Sequence, residues 1–204
     1  MDRGNLATQG EIARILVEFL EVSITSVVFL RGIYPPEAFE RRRYMNIAVQ
    51  RARNPQLRNY IHSAVAGLYH FIQKGLVERV AVIFYGEDHV PSEKFVFKLD
   101  VNQSYHLNSE ESDFQYALRS FLIKLSVAQP LTTILPTDCR WEITAYFRSL
   151  PKENSKEAEL WIPTDTKQWQ HPPFITPIKS MSSEPLSVQL YVEHPHPSQQ
   201  PSDP

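Results

Sequence analysis

The chain has 204 residues, of which 42% are hydrophobic and 22% are charged, and its formal net charge is -2. These values are typical of one globular domain with a substantial core, followed by a tail. A net charge so close to zero disfavours stand-alone binding to nucleic acid, although a local basic patch is compatible with it. The single cysteine, Cys139, excludes an internal disulfide and a zinc site with several cysteines, and is typical of a reducing compartment. Charged residues interrupt the apolar stretch 12–30, so neither secretion nor membrane spanning is expected.

Two amphipathic helices are predicted first along the chain. Residues 8–32 open with the capping box Thr-Gln-Gly-Glu and then carry apolar side chains at helical spacing. Residues 54–75 open with Asn-Pro, an N-cap followed by proline at the first helical position, and close with a glycine. Between them lies an arginine run, 41–43, interpreted as a solvated surface at the end of a short helix. Contact with phosphate or with an acidic partner is the alternative.

A hairpin, a third helix and another strand follow. Residues 77–85 form a β-rich run that predicts a central strand, and the alternation at 95–99 predicts its antiparallel partner. Residues 112–129 predict the third helix, and the alternation at 141–147 predicts a further strand. Three helices on one face of an antiparallel sheet make the expected fold class α+β.

The stretch 151–193 is the most informative part of the sequence. It shows no helical period, yet it holds Trp161 and Trp169, two of the three tryptophans. A long segment without regular structure that is rich in large apolar groups is typical of an ordered lid or binding loop. It ends in Ser-Val-Gln-Leu-Tyr-Val-Glu, whose alternation predicts a half-buried strand. The tail 194–204 is too poor in apolar side chains to offset its ordering entropy, so disorder is predicted there.

Motifs for catalysis are not found in the sequence. With six glycines and neither a P-loop nor a dinucleotide fingerprint, nucleotide chemistry is not expected. His62 and His70 would lie about 12 Å apart along a helix, so they do not form a metal site, and no cofactor is predicted. Residues of a Ser-His-Asp or paired-carboxylate site meet in space rather than along the chain, so this alternative stays open. Nothing positively indicates such a site, and no catalytic residue is assigned.

Several exposed or loop residues are candidates for partner binding. Tyr60 flanks the buried stripe of the second helix, where it offers a ring and a hydroxyl at a groove edge, with plain packing as the alternative. Trp161 is a candidate clamp for an extended peptide, or a latch that holds the loop on the body. Gln189 and Tyr191 lie on the face of the last strand opposite its apolar side chains, a docking candidate unless a loop covers them.

Five separated motifs resemble a known family. They are Arg31-Gly32-Ile33-Tyr34-Pro35, Glu93-Lys94-Phe95-Val96-Phe97, Leu118-Arg119-x-Phe121-x-x-Lys124-x-Ser126, Ile175-x-Pro177-x-Lys179-Ser180-Met181 and Gln189-Leu190-Tyr191-Val192-Glu193. Over residues 1–193 the chain resembles the HORMA-domain family, whose C-terminal "safety belt", here 151–193, wraps a partner peptide added to the sheet as a strand. The first motif is shared with the spindle-checkpoint branch. The Lys-Phe-Val-Phe strand, the third-helix pattern and the last motif look like the branch that contains the accessory subunit of DNA polymerase zeta.

The resemblance implies a non-catalytic adaptor of translesion DNA synthesis, located in the nucleus with some in the cytoplasm. It implies that Tyr60 and Trp161 hold a proline-containing peptide of the catalytic subunit of DNA polymerase zeta. It also implies that Ile175, Gln189 and Tyr191 receive the C-terminal domain of the deoxycytidyl-transferase scaffold polymerase. In this scheme DNA is reached only through partners, and neither a cofactor nor a membrane is involved.

Arg119 matches a position used when two HORMA domains pair, which implies a homodimer or a heterodimer of such domains. Two alternatives to the polymerase adaptor stay open. One is a spindle-checkpoint adaptor that binds other peptide motifs. The other is a direct nucleic-acid binder that uses the arginine cluster.

Overall fold

The computed structural model describes residues 3–86, 89–102, 111–149, 161–162, 164, 169, 171–183 and 186–195. These residues contain four α-helices and seven β-strands. The helices are α1 (Arg3–Leu30), α2 (Pro55–Ala66), α3 (Tyr69–Gln73) and α4 (Glu111–Ser126). The strands are β1 (Phe39–Tyr44), β2 (Ile47–Ala52), β3 (Val77–Tyr85), β4 (Pro91–Val101), β5 (Arg140–Phe147), β6 (Phe174–Ser183) and β7 (Leu186–His194).

Five of the strands form one antiparallel sheet in the order β5-β3-β4-β7-β6, and β1 and β2 form a separate hairpin. Helix α1 lies between the two sheets. Its Phe19 contacts Phe97 of β4 edge-to-face at 6.4 Å between ring centroids, and its Phe29 contacts Phe39 of β1 at 5.2 Å. The predicted α+β class, with helices on one face of an antiparallel sheet, is confirmed.

The alternation along β4 decides which side chains join the core. Phe95, Phe97 and Leu99 point toward the helices and are buried in the main cluster. Val96 points to the opposite face, where it forms a small second cluster with Ala81 and Ile83 of β3. The sheet therefore has a helix side, which carries the main core, and an opposite side with a smaller apolar patch.

The first two helices differ from the prediction at their ends. Helix α1 begins at Arg3, so the capping-box sequence lies inside it rather than at its start. Gly10 lies within this helix and accepts a hydrogen bond from the Tyr69 hydroxyl at its carbonyl oxygen, at 3.3 Å. The predicted N-cap of α2 is confirmed, since the Asn54 side chain accepts a hydrogen bond from the Gln56 amide at 2.8 Å. The segment 54–75 divides at Gly67 into α2 and α3, and the chain leaves α3 through Gly75 with φ of 66°.

The arginine run was predicted at the end of a short helix, and this prediction is wrong. Arg41, Arg42 and Arg43 lie on β1, which pairs with β2. The two strands are joined by a tight turn in which Met45 and Asn46 have φ of 47° and 59°. Positive φ at both central residues is the geometry of a type I′ hairpin turn, whose twist matches that of the strands.

The C-terminal third contains more regular structure than was predicted. Strand β6 lies within the stretch expected to lack it, and β7 extends to His194, one residue into the predicted tail. Residues 151–160, 163, 165–168, 170 and 184–185 of the predicted belt and 196–204 of the predicted tail lie outside the described residues. Among the helices of the described ranges, none is both long and apolar enough to cross a membrane.

Candidate functional site

Strand β5 ends the sheet on one side. It pairs with β3, and none of the described residues adds a strand along its other edge. The Ile143 amide donates a hydrogen bond to the Tyr60 hydroxyl of α2 at 3.3 Å, so this amide faces away from β3. Because amides alternate in direction along an antiparallel strand, those of Trp141 and Ala145 also face outward. The edge of β5 therefore offers backbone groups beside Tyr60 that pair with no other strand of the described residues.

Aromatic side chains border this edge on the helix side. The Tyr60 ring meets the Trp141 ring edge-to-face at 5.3 Å, and the Trp141 indole N–H donates to the Tyr34 hydroxyl at 3.3 Å. Tyr60 is nevertheless 45% exposed, so part of its ring is free to contact a ligand. Burial raises the pKa of Tyr60, which keeps its hydroxyl protonated at neutral pH and able to donate a hydrogen bond.

Trp161 lies in the belt and packs against the main core on the helix side of the sheet. Its indole N–H is buried and has no acceptor among the described residues. A buried donor left without a partner costs about 1–3 kcal/mol, so a ligand carbonyl placed there would satisfy a group for which the described residues provide no acceptor. Both expectations for this residue, a latch on the body and a group available to a peptide, agree with this position.

Trp169 contacts the opposite side of the sheet. Its indole N–H donates to the Glu193 carboxylate of β7 at 2.8 Å, and the Lys94 ammonium of β4 lies 5.1 Å from the centroid of its ring. Burial lowers the pKa of Lys94, with Glu193 opposing the shift. Trp161 and Trp169 thus hold the belt against both faces of the sheet.

The β6–β7 hairpin brings together the residues expected to receive the scaffold polymerase. Ile175 is opposite Glu193, Pro177 is opposite Tyr191, and cross-strand partners share a face. Ile175 is 60% exposed, Gln189 is exposed and Tyr191 is half-buried against the small apolar patch. The three predicted residues therefore lie on one side of the hairpin, opposite the helices and at the far edge of the sheet from β5.

Arg119 lies half-buried on α4, and its Nε has no hydrogen-bond partner within the part of the chain that the structure describes. Along the same helix Tyr116, Ile123 and Val127 are 65%, 47% and 65% exposed. Their spacing of seven and four residues places them on one side of the helix. Helix α4 thus presents an uncovered apolar stripe beside an arginine.

Sequence reasoning missed two neighbours of Tyr60 at the β5 edge. Trp141 was predicted only as a strand residue, and Tyr34 only as part of a family motif. Each carries an indole or a phenol, which normally finds a hydrogen-bond partner when it is buried, and this was the signal available in the sequence. Their partnership with each other depends on the approach of the loop after α1 to β5, which no local pattern encodes.

The fold defines a class of protein. The family model described as HORMA domain matches residues 13–154, so the chain belongs to the HORMA domain family. The chain is 62% identical over 196 residues to a protein of Arabidopsis thaliana named DNA polymerase zeta processivity subunit, covering 96% of this chain and 91% of that protein. It is 30% identical over 190 residues to the human mitotic spindle assembly checkpoint protein MAD2B, covering 89% and 90% of the two chains. The predicted resemblance to the polymerase zeta branch is confirmed.

Solved structures share the same fold. A chain in the crystal structure of the mitotic checkpoint complex superposes with a TM-score of 0.76 at 16% identity, over 90% of this chain and 98% of that one. The structure of C. elegans HTP-2 bound to the HIM-3 closure motif gives a TM-score of 0.73 at 10% identity, over 91% of each chain. At these sequence identities, the comparison shows that the folds are alike and nothing more.

Proposed function

We propose that this chain is a non-catalytic adaptor subunit of DNA polymerase zeta in translesion DNA synthesis. It captures a proline-containing peptide of the catalytic subunit along β5 and bridges it to the deoxycytidyl-transferase scaffold polymerase in the nucleus. The observation that carries the proposal is the outer edge of β5, which pairs with no strand among the described residues and where the Tyr60 hydroxyl occupies the Ile143 amide. The similarity to the Arabidopsis thaliana polymerase subunit supports the choice of partner.

Peptide capture follows from the backbone geometry of β5. An extended peptide laid beside it takes the outward amides and carbonyls of Trp141, Ile143 and Ala145 into a new antiparallel or parallel ladder. The peptide carbonyl replaces the Tyr60 hydroxyl at the Ile143 amide, and Tyr60 then presents its ring to the peptide side chains. Proline suits the peptide positions whose amide would point away from β5, since its missing N–H costs nothing there.

The belt makes the captured peptide slow to leave. Trp161 on the helix side and Trp169 on the opposite side hold the segment against both faces of the sheet. A peptide enclosed by such a segment leaves only when the segment opens, so the dissociation rate is set by that opening. The indole N–H of Trp161 has no acceptor in the part of the chain that the structure describes, and we assign it to a carbonyl of the bound peptide.

The separation of the two surfaces supports bridging. The peptide edge is β5, whereas Ile175, Gln189 and Tyr191 lie on the hairpin at the other edge of the same sheet. Two partners on opposite edges do not compete for the same groups. Arg119 and the apolar stripe of α4 form a third surface, which we assign to pairing with a second HORMA domain.

The test is reconstitution of the ternary complex from the chain, the catalytic-subunit peptide and the scaffold C-terminal domain, followed by size-exclusion chromatography. We expect all three to co-elute. A parallel sample with a spindle-checkpoint peptide addresses the second candidate, which the similarity to human MAD2B favours. Capture of the checkpoint peptide alone would contradict the polymerase assignment and support the checkpoint adaptor.

A further inference from the structure

The hairpin of β1 and β2 is the most basic part of the chain. Residues 39–58 contain six arginines and one acidic residue, Glu40, in a chain whose net charge is -2. The hairpin has four exposed arginines, which are Arg41, Arg42, Arg43 and Arg51. We call the β1–β2 element that carries them the arginine hairpin. A strongly basic ribbon on an acidic chain is a local feature that the peptide and scaffold surfaces do not use.

Burial in the hairpin changes along its length. Val49 lies on one face, Phe39 and Ala52 lie on the other near the base of the hairpin, and all three are buried. Arg41 and Arg43 follow Phe39 on its face toward the turn. Both are exposed, and neither forms an ion pair within 4.0 Å among the described residues. Their Cα atoms are about 7 Å apart along the strand, so two exposed positive charges stand side by side on this face.

The remaining charges of the region reinforce this positive field. Arg42 forms an ion pair with Glu40 at 2.8 Å, which holds Arg42 over the base of the hairpin. The hydrogen bond from Arg42 lowers the pKa of Glu40, and the charges of Arg53 and Arg51 act in the same direction. One carboxylate thus lies among three guanidinium groups, and the excess of positive charge faces solvent.

The shape of the hairpin selects among anionic partners. An acidic peptide gains affinity from apolar side chains placed in pockets, but the cross-strand partners of Arg41 and Arg43 are Gln50 and Ala48, which are polar or small. A single nucleic-acid strand stacks its bases on exposed aromatic rings, and none of the exposed residues of 39–52, all of which are described, is aromatic. A duplex presents regularly spaced phosphates, and its major groove is wide enough to admit a two-stranded ribbon.

We propose that the arginine hairpin is a contact surface for the phosphate backbone of duplex DNA, bound without sequence preference. The contact is direct, in contrast to the expectation that DNA is reached only through partners. With few charges involved, the affinity falls in the range of non-specific binding, with Kd of about 10⁻⁴–10⁻⁶ M at physiological salt. Such a contact contributes when the chain is tethered to a DNA-bound assembly, because tethering raises the effective concentration of the surface.

The location of the hairpin allows this use. Helix α1 separates it from the five-stranded sheet, since Phe19 packs toward β4 and Phe29 packs toward β1. The peptide edge and the β6–β7 surface both belong to that sheet. DNA on the hairpin and protein partners on the sheet therefore bind on different sides of α1.

The test is fluorescence anisotropy with a labelled mixed-sequence DNA duplex, titrated with the full chain at a series of salt concentrations. The variant is Arg41→Gln with Arg43→Gln. The matched control is Lys98→Gln with Lys124→Gln, which removes the same charge from two other exposed positions. We expect the hairpin variant to bind at least tenfold more weakly at low salt, and the slope of log K against log salt to be reduced by about 2. The control should keep the wild-type affinity and the wild-type slope. Arg41→Lys with Arg43→Lys should retain binding, because phosphate contact needs charge.

Equal losses in the hairpin variant and the control would overturn the proposal, because they would show a response to net charge alone. Binding of a polyglutamate peptide to the hairpin as tight as that of the duplex would also overturn it, in favour of an acidic-peptide surface. Thermal unfolding and capture of the proline-containing peptide are measured on the same variants. The hairpin variants should keep the wild-type unfolding temperature and the wild-type peptide capture. A failure of peptide capture is then distinguishable from a failure of DNA binding.

Discussion

Arg31 and Glu93 form a buried ion pair, with 2.6 Å between the arginine Nε and the carboxylate Oε2 and side chains that are 7% and 0% exposed. Arg31 follows α1 and Glu93 lies on β4, so two sequence motifs that pointed to the family meet here. The Thr133 amide donates to the other carboxylate oxygen at 3.1 Å, and His194 at the end of β7 lies 3.6 Å from the same oxygen. The pair therefore joins the helix layer, the central sheet and the end of the belt.

Removing one partner of this pair should be costly. Burial raises the pKa of Glu93, while the charge of Arg31 opposes that shift, so the carboxylate depends on its partner. Glu93→Ala leaves the arginine buried without a counter-charge, and we expect a loss of about 3–5 kcal/mol in the free energy of unfolding. Urea denaturation measures it. Glu18→Gln is the control, since its ion pair with Arg14 is exposed and should cost below about 1 kcal/mol. Equal losses at the two sites would contradict the assigned role.

His194 should make stability depend on pH. Burial lowers the pKa of His194 below its ordinary value of 6.5, with a hydrogen bond from its side chain to the Leu131 backbone opposing the shift. As pH falls through 6.5 the unfolded chain gains a proton that the folded chain resists, so this residue's contribution to stability is lost. Glu93 has the opposite effect on stability. Because its pKa is raised in the folded chain, the folded chain takes up a proton before the unfolded chain as pH falls toward 4.5, so this residue's contribution to stability increases.

The variant His194→Gln isolates the histidine. Between about pH 7.5 and about pH 5.5 we expect the wild-type chain to lose more unfolding free energy than the variant, by up to about 1.4 kcal/mol per unit of the pKa shift. Urea denaturation at both pH values measures the difference. If the variant loses as much unfolding free energy as the wild-type chain, His194 titrates in the same way in the folded and unfolded states, which would contradict the prediction.

The β6–β7 surface should bind the scaffold domain independently of the peptide. Ile175→Asp or Tyr191→Ala removes apolar contact area from the proposed interface, and we expect at least a tenfold loss of scaffold-domain affinity by calorimetry. Peptide capture at β5 should stay within twofold of the wild-type value. Gln189→Ala is expected to have a smaller effect, since exposed polar contacts contribute less. Loss of peptide capture in all three variants would indicate that the hairpin serves only to hold the belt in place.

Helix α4 should mediate self-association. Arg119→Glu reverses the charge that the helix presents to its partner and removes a guanidinium whose Nε has no hydrogen-bond partner among the described residues. Analytical ultracentrifugation of the wild-type chain should show a concentration-dependent dimer that this variant abolishes. As a control, Lys124→Ala changes the charge of the same helix at an exposed position. A monomer at all wild-type concentrations would contradict a homodimer and leave pairing with another HORMA domain.

Elements with strong periodicity were predictable from the sequence. The buried stripe of α1, the strands β3 and β5 and the alternation of β7 all appear where the patterns placed them, because one face of each packs on the core. Strand β6 was missed because it is an edge strand that contains Pro177, where the pairing register shifts. The β1–β2 hairpin was missed because its turn is Met45-Asn46 rather than a glycine turn and its arginines hide the alternation.

The candidate site was also predictable only in part from the sequence. Tyr60 and Trp161 could be singled out by residue type and by resemblance, but the proximity of Tyr60 to Ile143 depends on how α2 packs beside β5. Neither residue carries a local signal of its partner. Contacts between elements that are distant along the chain are set by the fold, so the sequence indicated which residues to examine and the structure supplied what they contact.

Calorimetric titration of the chain with a proline-containing peptide of the catalytic subunit tests the central claim most directly. We expect tight, slowly dissociating binding, weakened at least tenfold by Tyr60→Ala or Trp161→Ala and by less in Tyr60→Phe, which keeps the ring. Tyr116→Ala is the matched control on an exposed tyrosine away from β5 and should bind as the wild-type chain does. Unchanged affinity in the Tyr60→Ala, Trp161→Ala double variant would contradict peptide capture at the β5 edge.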